Sequence, residues 1–227
     1  MSAHLEIEAL TGGYHDTNVL FDVSARVDRG EVLGIFGRNG VGKTTLARLV
    51  QGGLRLAGGA VRLKGREVSS LAPWDRRALG LGYMPQTEMV FDDLTVRENL
   101  MLGENARAPE EYFDLFPRLA ERQGQLAGSM SGGERKILAF VRTMIEDSDV
   151  LILDEPSEGV QPENIERMAQ CLRARAEAGA AVVLSEQNIG FLTSIADHLL
   201  GLDAGRVVLR ETAGRVSAEE VRALLTV

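Results

Sequence analysis

The chain has 227 residues, of which 44% are apolar, and this suits one large α/β domain or a domain with a small insertion. Its net charge of −8, with lysines and arginines scattered along the chain, argues against a nucleic-acid-binding surface. The sequence shows no signal-peptide pattern and no run of about 18 apolar residues, so we expect no insertion into a membrane.

The N-terminal part of the chain predicts short, half-exposed strands. Residues 5–10 and 23–27 alternate apolar and polar side chains, and residues 60–64 do the same. We therefore expect an antiparallel β layer beside a parallel sheet. A turn is predicted at residues 12–14, and it carries Tyr14, which is either a packed surface aromatic or a platform for a stacked adenine ring.

A glycine-rich segment at residues 37–45 follows an apolar run at 32–36 and precedes a helical pattern at 46–50. A strand, such a loop, a lysine, a hydroxyl and a helix form a phosphate-binding loop in its required context. Glycines let the backbone approach a phosphate, and the loop amides and helix start attract an anion. The candidate nucleotide-binding residues are Gly37, Asn39, Gly40, Val41, Gly42, Lys43, Thr44 and Thr45. The alternative is a plain glycine-rich turn with a surface lysine.

The middle of the chain changes in composition. A short strand at 81–84 ends at Pro85 and is followed by Gln86. Residues 91–128 then show helical patterning, with a capping-box pair at Thr95 and Glu98 and another helix opening at Pro109. We predict a helical subdomain of about residues 87–130, inserted within a single domain that spans residues 1–227.

A serine and two glycines follow this region. Ser131 and Glu134 are spaced as a capping box, which is one sufficient explanation of the segment. Gly132 and Gly133, however, are poor helix formers at a helix start. Their presence suggests that a ligand approaches this helix closely, and a phosphate is the obvious candidate.

Two carboxylates end an apolar strand predicted at residues 150–153. In open α/β sheets, ligands bind at the carboxyl ends of strands. Asp154 suits a Mg²⁺ ligand, and Glu155 suits a group that orients or deprotonates an attacking water. The alternative is an acidic pair that caps a helix in the following loop.

The last third of the chain continues the α/β pattern. A helix is predicted from Pro162 to Gly179, and a buried strand at 181–184 ends in polar residues 185–187. A hairpin is predicted at 199–209. Finally, Ser217 and Glu220 predict the cap of a short last helix.

Taken in order, these motifs resemble the ATP-binding cassette, the nucleotide-binding subunit of ABC transporters. The motifs that carry the resemblance are residues 37–45, Gln86, residues 131–134 and residues 153–157, and it covers essentially the whole chain. It implies an α/β fold: a P-loop nucleotide-binding core with a parallel sheet, an antiparallel β subdomain and a helical insertion. It also implies ATP and Mg²⁺ as the bound groups.

The resemblance further implies roles for individual residues. Tyr14 would stack on adenine, and Gln86 would touch Mg²⁺ and the attacking water and sense a membrane subunit. Ser131, Gly132 and Gly133 would contact the γ-phosphate of ATP bound by a second cassette paired head to tail. The implied catalytic residues are Glu155, Gln187, Gln86 and Lys43, and the implied metal ligands are Thr44, Gln86 and Asp154.

The resemblance also implies partners and a location. The chain would work with transmembrane permease subunits and a second ATPase subunit, either identical or different, and not with nucleic acid. It would be cytoplasmic and peripheral on the inner face of the cell membrane. The single cysteine, Cys171, excludes an intramolecular disulfide and is compatible with that reducing compartment.

A finer similarity is to importers of branched-chain amino acids and of urea. Residues 37–45, 94–100 and 186–188 carry it, and residues 154–162 and 221–225 are more similar to the urea branch. We therefore predict an ATPase that powers the uptake of branched-chain amino acids or of urea and short amides. The alternatives are a non-transport cassette of the DNA-repair or translation type, and a nucleotide-gated clamp without turnover.

Three positions depart from the family pattern. Gln187 stands where most cassettes have a switch histidine, and a glutamine cannot carry a positive charge. This subgroup tolerates the change, so we still expect hydrolysis. Met130 replaces the usual leucine, with little expected effect. Arg135 and Lys136 replace glutamines, and they lie either near the opposing nucleotide or on a solvated helix face, which we favour.

Overall fold

The computed structural model describes residues 3–87, 90–103, 107–216, 219 and 221. Within this part of the chain, ten strands form two sheets. The strands are Leu5–Tyr14 (β1), Thr17–Val27 (β2), Val32–Phe36 (β3), Leu56–Leu63 (β4), Arg66–Glu67 (β5), Leu81–Met84 (β6), Val150–Asp154 (β7), Ala181–Ser185 (β8), His198–Asp203 (β9) and Arg206–Thr212 (β10).

Seven α-helices accompany these strands in the described residues. The helices are Lys43–Gln51 (α1), Pro73–Ala78 (α2), Val96–Leu100 (α3), Pro117–Glu121 (α4), Gly132–Ile145 (α5), Pro162–Glu177 (α6) and Ile189–Ile195 (α7). Three 3₁₀ turns, Pro109–Tyr112, Ala127–Ser129 and Ala213–Arg215, complete the description. No helix among the described residues is both long enough and apolar enough to cross a bilayer.

The larger sheet has six strands in the order β10-β9-β3-β8-β7-β6. Strands β9, β3, β8, β7 and β6 are parallel, and β10 pairs antiparallel with β9 at one edge. The residues of β3, β7 and β8 are all buried, which explains why they read as continuous apolar runs. Because parallel strands end at the same edge, the loops after β3, β6, β7 and β8 meet there.

Two hydrophobic cores cover the two faces of the larger sheet. On one face, Val32 and Phe36 of β3 pack with apolar residues of α5, α6 and α7. On the other face, Leu33 and Ile35 pack with α1 and with the smaller antiparallel sheet, whose order is β2-β1-β4-β5. The alternation along β3 therefore places α1 between the two sheets.

A fully buried arginine anchors the end of α1. Arg76, on α2, donates from Nη1 to the carbonyls of Leu49 and Val50, at 2.9 and 2.6 Å. It also donates to the carbonyls of Leu71 and Ser69, at 3.1 and 2.9 Å. Carbonyls in the last turn of a helix lack a backbone donor four residues further on, so Arg76 binds those of Leu49 and Val50 and holds the C-terminal end of α1 in place.

The segment between β6 and α5 is helical in the described residues. Thr95 and Glu98 form the predicted capping box at the start of α3, which confirms that pair. Asn99 is buried, and its Nδ2 donates to the carbonyls of Phe91, Leu94 and Thr95. One side chain therefore ties the loop at 91–95 to α3.

Most predicted strands and helices are confirmed, and two local predictions are wrong. Residues 12–14 form the end of β1 and not a turn, because Gly13 and Tyr14 pair with Asn18 and Thr17 of β2. A Cβ at Gly13 would lie 2.1 Å from the Thr17 carbonyl oxygen, so glycine permits this close pairing. The helix predicted at Pro109 is a single 3₁₀ turn. The cap predicted at Ser217 and Glu220 lies outside the described residues.

Candidate functional site

The glycine-rich loop connects β3 to α1. Gly40 and Gly42 have φ angles of 82° and 112°, in the left-handed region that favours glycine. A Cβ at Gly42 would lie 2.5 Å from Leu20 Cδ2, whereas a Cβ at Gly40 would meet no atom within 4 Å. No side chain caps the N-terminus of α1, so its first amides and the open backbone at Gly40 suit an incoming anion.

Lys43 is buried and folds back over this loop. Its Nζ donates to the carbonyl oxygens of Gly37 and Arg38, at 2.8 and 3.2 Å. The same Nζ lies 3.1 Å from Glu155 Oε1. The ammonium group therefore links the glycine-rich loop to the carboxyl end of β7.

Glu155 is contacted by hydrogen-bond donors from three separate segments of the chain. It is only 4% exposed, and its φ of 48° is strained for a residue other than glycine. Its Oε2 accepts from Gln86 Nε2 at 3.1 Å and from Gln187 Nε2 at 2.8 Å, while Lys43 faces Oε1. These donors come from the start of α1 and from the loops after β6 and β8, so the four predicted catalytic residues lie together.

Asp154 is fully buried beside this cluster. Its Oδ1 accepts from Ser185 Oγ at 2.6 Å, and its Oδ2 has no hydrogen-bond partner in the described residues. Burial raises the pKa of Asp154 above its usual value, and the hydrogen bond from Ser185 and the neighbouring hydroxyl of Thr44 lower it in part. A buried carboxylate oxygen without a partner is costly, and a cation at that oxygen would remove the cost.

This arrangement fits a metal ion that is shared with phosphates. Among the described residues, no group of three or more His, Cys, Asp or Glu side chains could hold a metal by itself. Mg²⁺ is usually bound by one or two protein oxygens together with substrate phosphates and water. Asp154 and Thr44 offer such a partial set, beside the open backbone of Gly40.

A cleft of about 450 Å³ lies over the glycine-rich loop. Its lining residues are Tyr14, Val19, Asn39, Gly40, Gly42, Lys43, Thr44, Thr45, Gln86 and Glu155. Tyr14 in this lining is 37% exposed, and the guanidinium carbon of Arg48 lies 5.5 Å from the centre of the tyrosine ring. Val41 is buried in the core under the loop and does not line the cleft.

The serine-glycine segment, residues 131–133, lies at the start of α5 and outside the cleft over the glycine-rich loop. Ser131 caps α5 and forms the predicted capping box with Glu134. Together with Gly132 and Gly133, it lines a second cleft of about 980 Å³. Gln86 lines both clefts, but none of these three residues lines the cleft of Lys43 and Glu155.

Sequence reasoning missed the part played by Glu186. This buried carboxylate accepts from the backbone amides of Ser157, Gln187 and Asn188, at 2.9, 3.2 and 3.3 Å. Burial raises its pKa, and the hydrogen bonds from Ser157 lower it in part. Glu186 therefore ties the loop after β7 to the loop that carries Gln187. Its position at a strand end was visible in the sequence, but its partners were not.

The prediction of a solvated helix face is wrong for Lys136. The residue is 4% exposed, and its Nζ donates to the backbone carbonyl of Gln86 at 2.9 Å. Lys136 lies one turn before Phe140 and two turns before Met144, both of which are buried in the core. That spacing was a signal in the sequence that Lys136 faces inward.

Comparisons with known proteins extend over most of the chain. The family profile described as ABC transporter matches residues 20–158. The chain is 35% identical over 219 residues to the probable branched-chain amino acid transport ATP-binding protein LivF of Archaeoglobus fulgidus, covering 93% of each protein. It is 34% identical over 215 residues to the high-affinity branched-chain amino acid transport ATP-binding protein BraG of Pseudomonas aeruginosa, covering 92% of each. A solved ATP-binding subunit of an ABC transporter superposes with a TM-score of 0.86 at 27% identity, covering 98% of this chain and 99% of that one.

Proposed function

The chain belongs to the ABC transporter family, and on that premise we propose that it is the ATP-hydrolysing subunit of an importer. The solute class is branched-chain amino acids or urea and short amides. The first is supported by the names of the two relatives, and the second by the resemblance of residues 154–162 to the urea branch. The single observation that carries the hydrolytic function is the convergence of Lys43, Gln86 and Gln187 on Glu155.

The residues of the site divide the work of phosphoryl transfer. The amides of the glycine-rich loop and the start of α1 hold the phosphate chain. The Lys43 ammonium group leaves its contact with Glu155 and binds phosphate oxygens instead. Thr44, Asp154 and Gln86 would hold Mg²⁺, which would supply neutralisation of the negative charge on the phosphates. Glu155 is then free to accept a proton from the attacking water, which the amides of Gln86 and Gln187 orient.

A second ATPase subunit completes this site. Ser131, Gly132 and Gly133 are exposed or half-buried at the start of α5 and lie outside the cleft of Lys43. In a head-to-tail pair, the same segment of the partner reaches the γ-phosphate, so that ATP is shared across the interface. Binding of ATP favours such a pair, and hydrolysis dismantles it.

The other partners are transmembrane permease subunits, which place the chain on the inner face of the cell membrane. The helical subdomain predicted at about residues 87–130, within one ATPase domain, would dock on these permeases. Gln86 is suited to sense this contact because it lines both the cleft of Lys43 and the cleft of the serine-glycine segment.

Phosphate release from ATP tests the function directly. In the presence of MgCl₂, the purified chain is expected to release phosphate from ATP. Removal of the metal by EDTA should stop this release, because Asp154 and Thr44 bind the metal only together with phosphates. ATP binding without phosphate release would favour the nucleotide-gated clamp. If DNA increased the rate of phosphate release and the permeases did not, the result would favour the non-transport cassette.

The solute requires a transport assay. Permeases encoded beside this gene would be reconstituted with the chain in vesicles, and ATP-dependent uptake of labelled leucine and labelled urea would be compared. Uptake of leucine alone would restrict the proposal to branched-chain amino acids, and uptake of neither would contradict the proposed solute class.

Tyr14→Ala is expected to weaken ATP binding by roughly tenfold, because an aromatic stacking platform contributes about 1–3 kcal/mol per base. At saturating ATP, turnover should change little, since Tyr14 is not among the residues that contact Glu155, which are Lys43, Gln86 and Gln187. Calorimetric titration with ATP and with triphosphate alone measures the effect. Tyr14→Phe, which keeps the ring, is the matched control, and an unchanged dissociation constant in Tyr14→Ala would leave Tyr14 as a packing residue.

A further inference from the structure

A buried lysine joins the helix of the serine-glycine segment to the loop of Gln86. Lys136 is the fifth residue of α5, and only 5% of its side chain is exposed. Its Nζ donates to the main-chain carbonyl of Gln86 at 2.9 Å and lies 3.8 Å from Glu158 Oε2. One ammonium group therefore contacts the loop after β6 and faces the loop after β7.

These contacts close a ring around Gln86. Lys136 holds the main-chain carbonyl of Gln86, and Glu158 accepts from the Gln86 side-chain amide at 3.1 Å. The same amide also donates to Glu155 at 3.1 Å. Gln86 is thus held at both ends, and the position of its amide on Glu155 depends on where Lys136 places its backbone.

The burial of Lys136 has a cost that an apolar side chain would avoid. Burial lowers the pKa of Lys136, while the charges of Glu158, Glu186, Glu155 and Asp154 raise it in part. An apolar residue of similar volume at such a place is often neutral for stability or even stabilising. The presence of a charged hydrogen-bond donor at position 136 therefore indicates a functional role and not a contribution to stability.

Resting on the proposed ATP hydrolysis, we propose that Lys136 is a positioning residue that holds Gln86 in register with Glu155 and links it to the serine-glycine helix. Lys136 does not line the cleft of Lys43, and its hydrogen bond is to the main chain of Gln86, so it acts on the reaction chiefly by placing Gln86. Because Lys136 is part of α5, movement of α5 relative to the core would shift or release Gln86. A change at the proposed subunit interface around Ser131 would therefore alter the position of the Gln86 side-chain amide, which orients the attacking water.

Removal of this contact should affect turnover and not ATP binding. Lys136→Met keeps the length of the side chain and removes the donor. We expect kcat for phosphate release to fall roughly tenfold, the size typical of lost supporting contacts around a reaction centre, with KM for ATP unchanged. Lys136→Arg keeps a charged donor and should restore kcat to within about threefold of the original chain.

Lys64→Met is the matched control. Lys64 is the other lysine outside the glycine-rich loop, its side chain is 43% exposed, and it pairs with Asp149 at 2.5 Å. Asp149 directly precedes β7, at the opposite end of that strand from Asp154. Kinetics of all three variants, with thermal melting to verify folding, separate a positioning effect from a loss of stability.

Hydrogen–deuterium exchange of residues 81–87 tests the contact without relying on hydrolysis. In Lys136→Met these amides should exchange faster than in the original chain, and in Lys64→Met they should not. If the original chain releases no phosphate, the proposed function fails, and the exchange result alone decides whether Lys136 holds Gln86. Unchanged exchange, or unchanged kcat in an active protein, would overturn the proposal. Lys136→Gln, whose shorter side chain falls short of the carbonyl, replaces Lys136→Met if that variant does not fold.

Discussion

Lys43→Ala is expected to abolish tight ATP binding. In the structure the Lys43 ammonium faces Gly37 O, Arg38 O and Glu155 Oε1 within 3.2 Å, so it is already desolvated before it meets a phosphate. Hydrogen bonds to charged groups contribute about 1.5–3 kcal/mol each. Loss of one or two of them to the phosphates raises the dissociation constant by roughly a hundredfold.

Calorimetric titration of ATP into the variant measures this loss. Lys43→Met is measured as a second variant, because methionine fills the volume of the buried lysine side chain that alanine would leave empty. Thermal melting shows whether either variant is folded. Glu155 retains its hydrogen bonds from Gln86 and Gln187 in both variants, so its carboxylate is not left without donors. An ATP affinity equal to that of the original chain would contradict the assignment of Lys43 to the phosphates. Lys64→Ala should bind ATP normally, because Lys64 pairs with Asp149 at the opposite end of β7 from Asp154.

The parts of the site that sequence patterns predicted are those that depend on neighbours along the chain. The glycine-rich loop needs a strand before it and a helix after it, and both are local signals. The capping boxes at Thr95 and Ser131 likewise involve residues three apart. Asp154 and Glu155 were placed at a strand end for the same reason, and a parallel sheet brings such ends to one edge.

The parts that could not be predicted depend on contacts between distant segments. Only the family resemblance implied that Glu155 meets Gln86, 69 residues away, and Gln187, 32 residues away, because no periodicity of the chain encodes such contacts. The predicted solvated face is wrong for Lys136 because its ammonium group binds the carbonyl of Gln86, 50 residues away. The turn predicted at residues 12–14 failed because cross-strand pairing with β2 overrides the local preference of two glycines.

Glu155→Gln is expected to separate ATP binding from hydrolysis. Glutamine preserves the shape of the side chain but cannot accept a proton from water, and general-base catalysis contributes about 10²–10⁴-fold to a rate. We therefore expect phosphate release at saturating ATP to fall at least about a hundredfold. ATP affinity should be kept or increased, because the change removes a negative charge beside the site of a triphosphate.

The change also affects the ring of donors around this residue. At present Oε2 accepts from both Gln86 and Gln187, whereas a glutamine offers one acceptor oxygen and an amide that itself donates. One of the two neighbouring amides would have to turn away, which disturbs the orientation of water but not the glycine-rich loop. This places the defect in kcat and leaves KM nearly unaltered.

Phosphate-release kinetics and calorimetry, performed on the same preparations, distinguish this outcome from a general loss of structure. Glu163→Gln is the matched control, because Glu163 makes the same charge change on α6 with its side chain 71% exposed and paired with Arg167. If ATP holds two subunits together until it is hydrolysed, Glu155→Gln should also sediment as a dimer with ATP, and the original chain only transiently. Equal rates of phosphate release in the original chain and in Glu155→Gln would remove Glu155 from the reaction. The proton acceptor would then have to be sought elsewhere around the γ-phosphate.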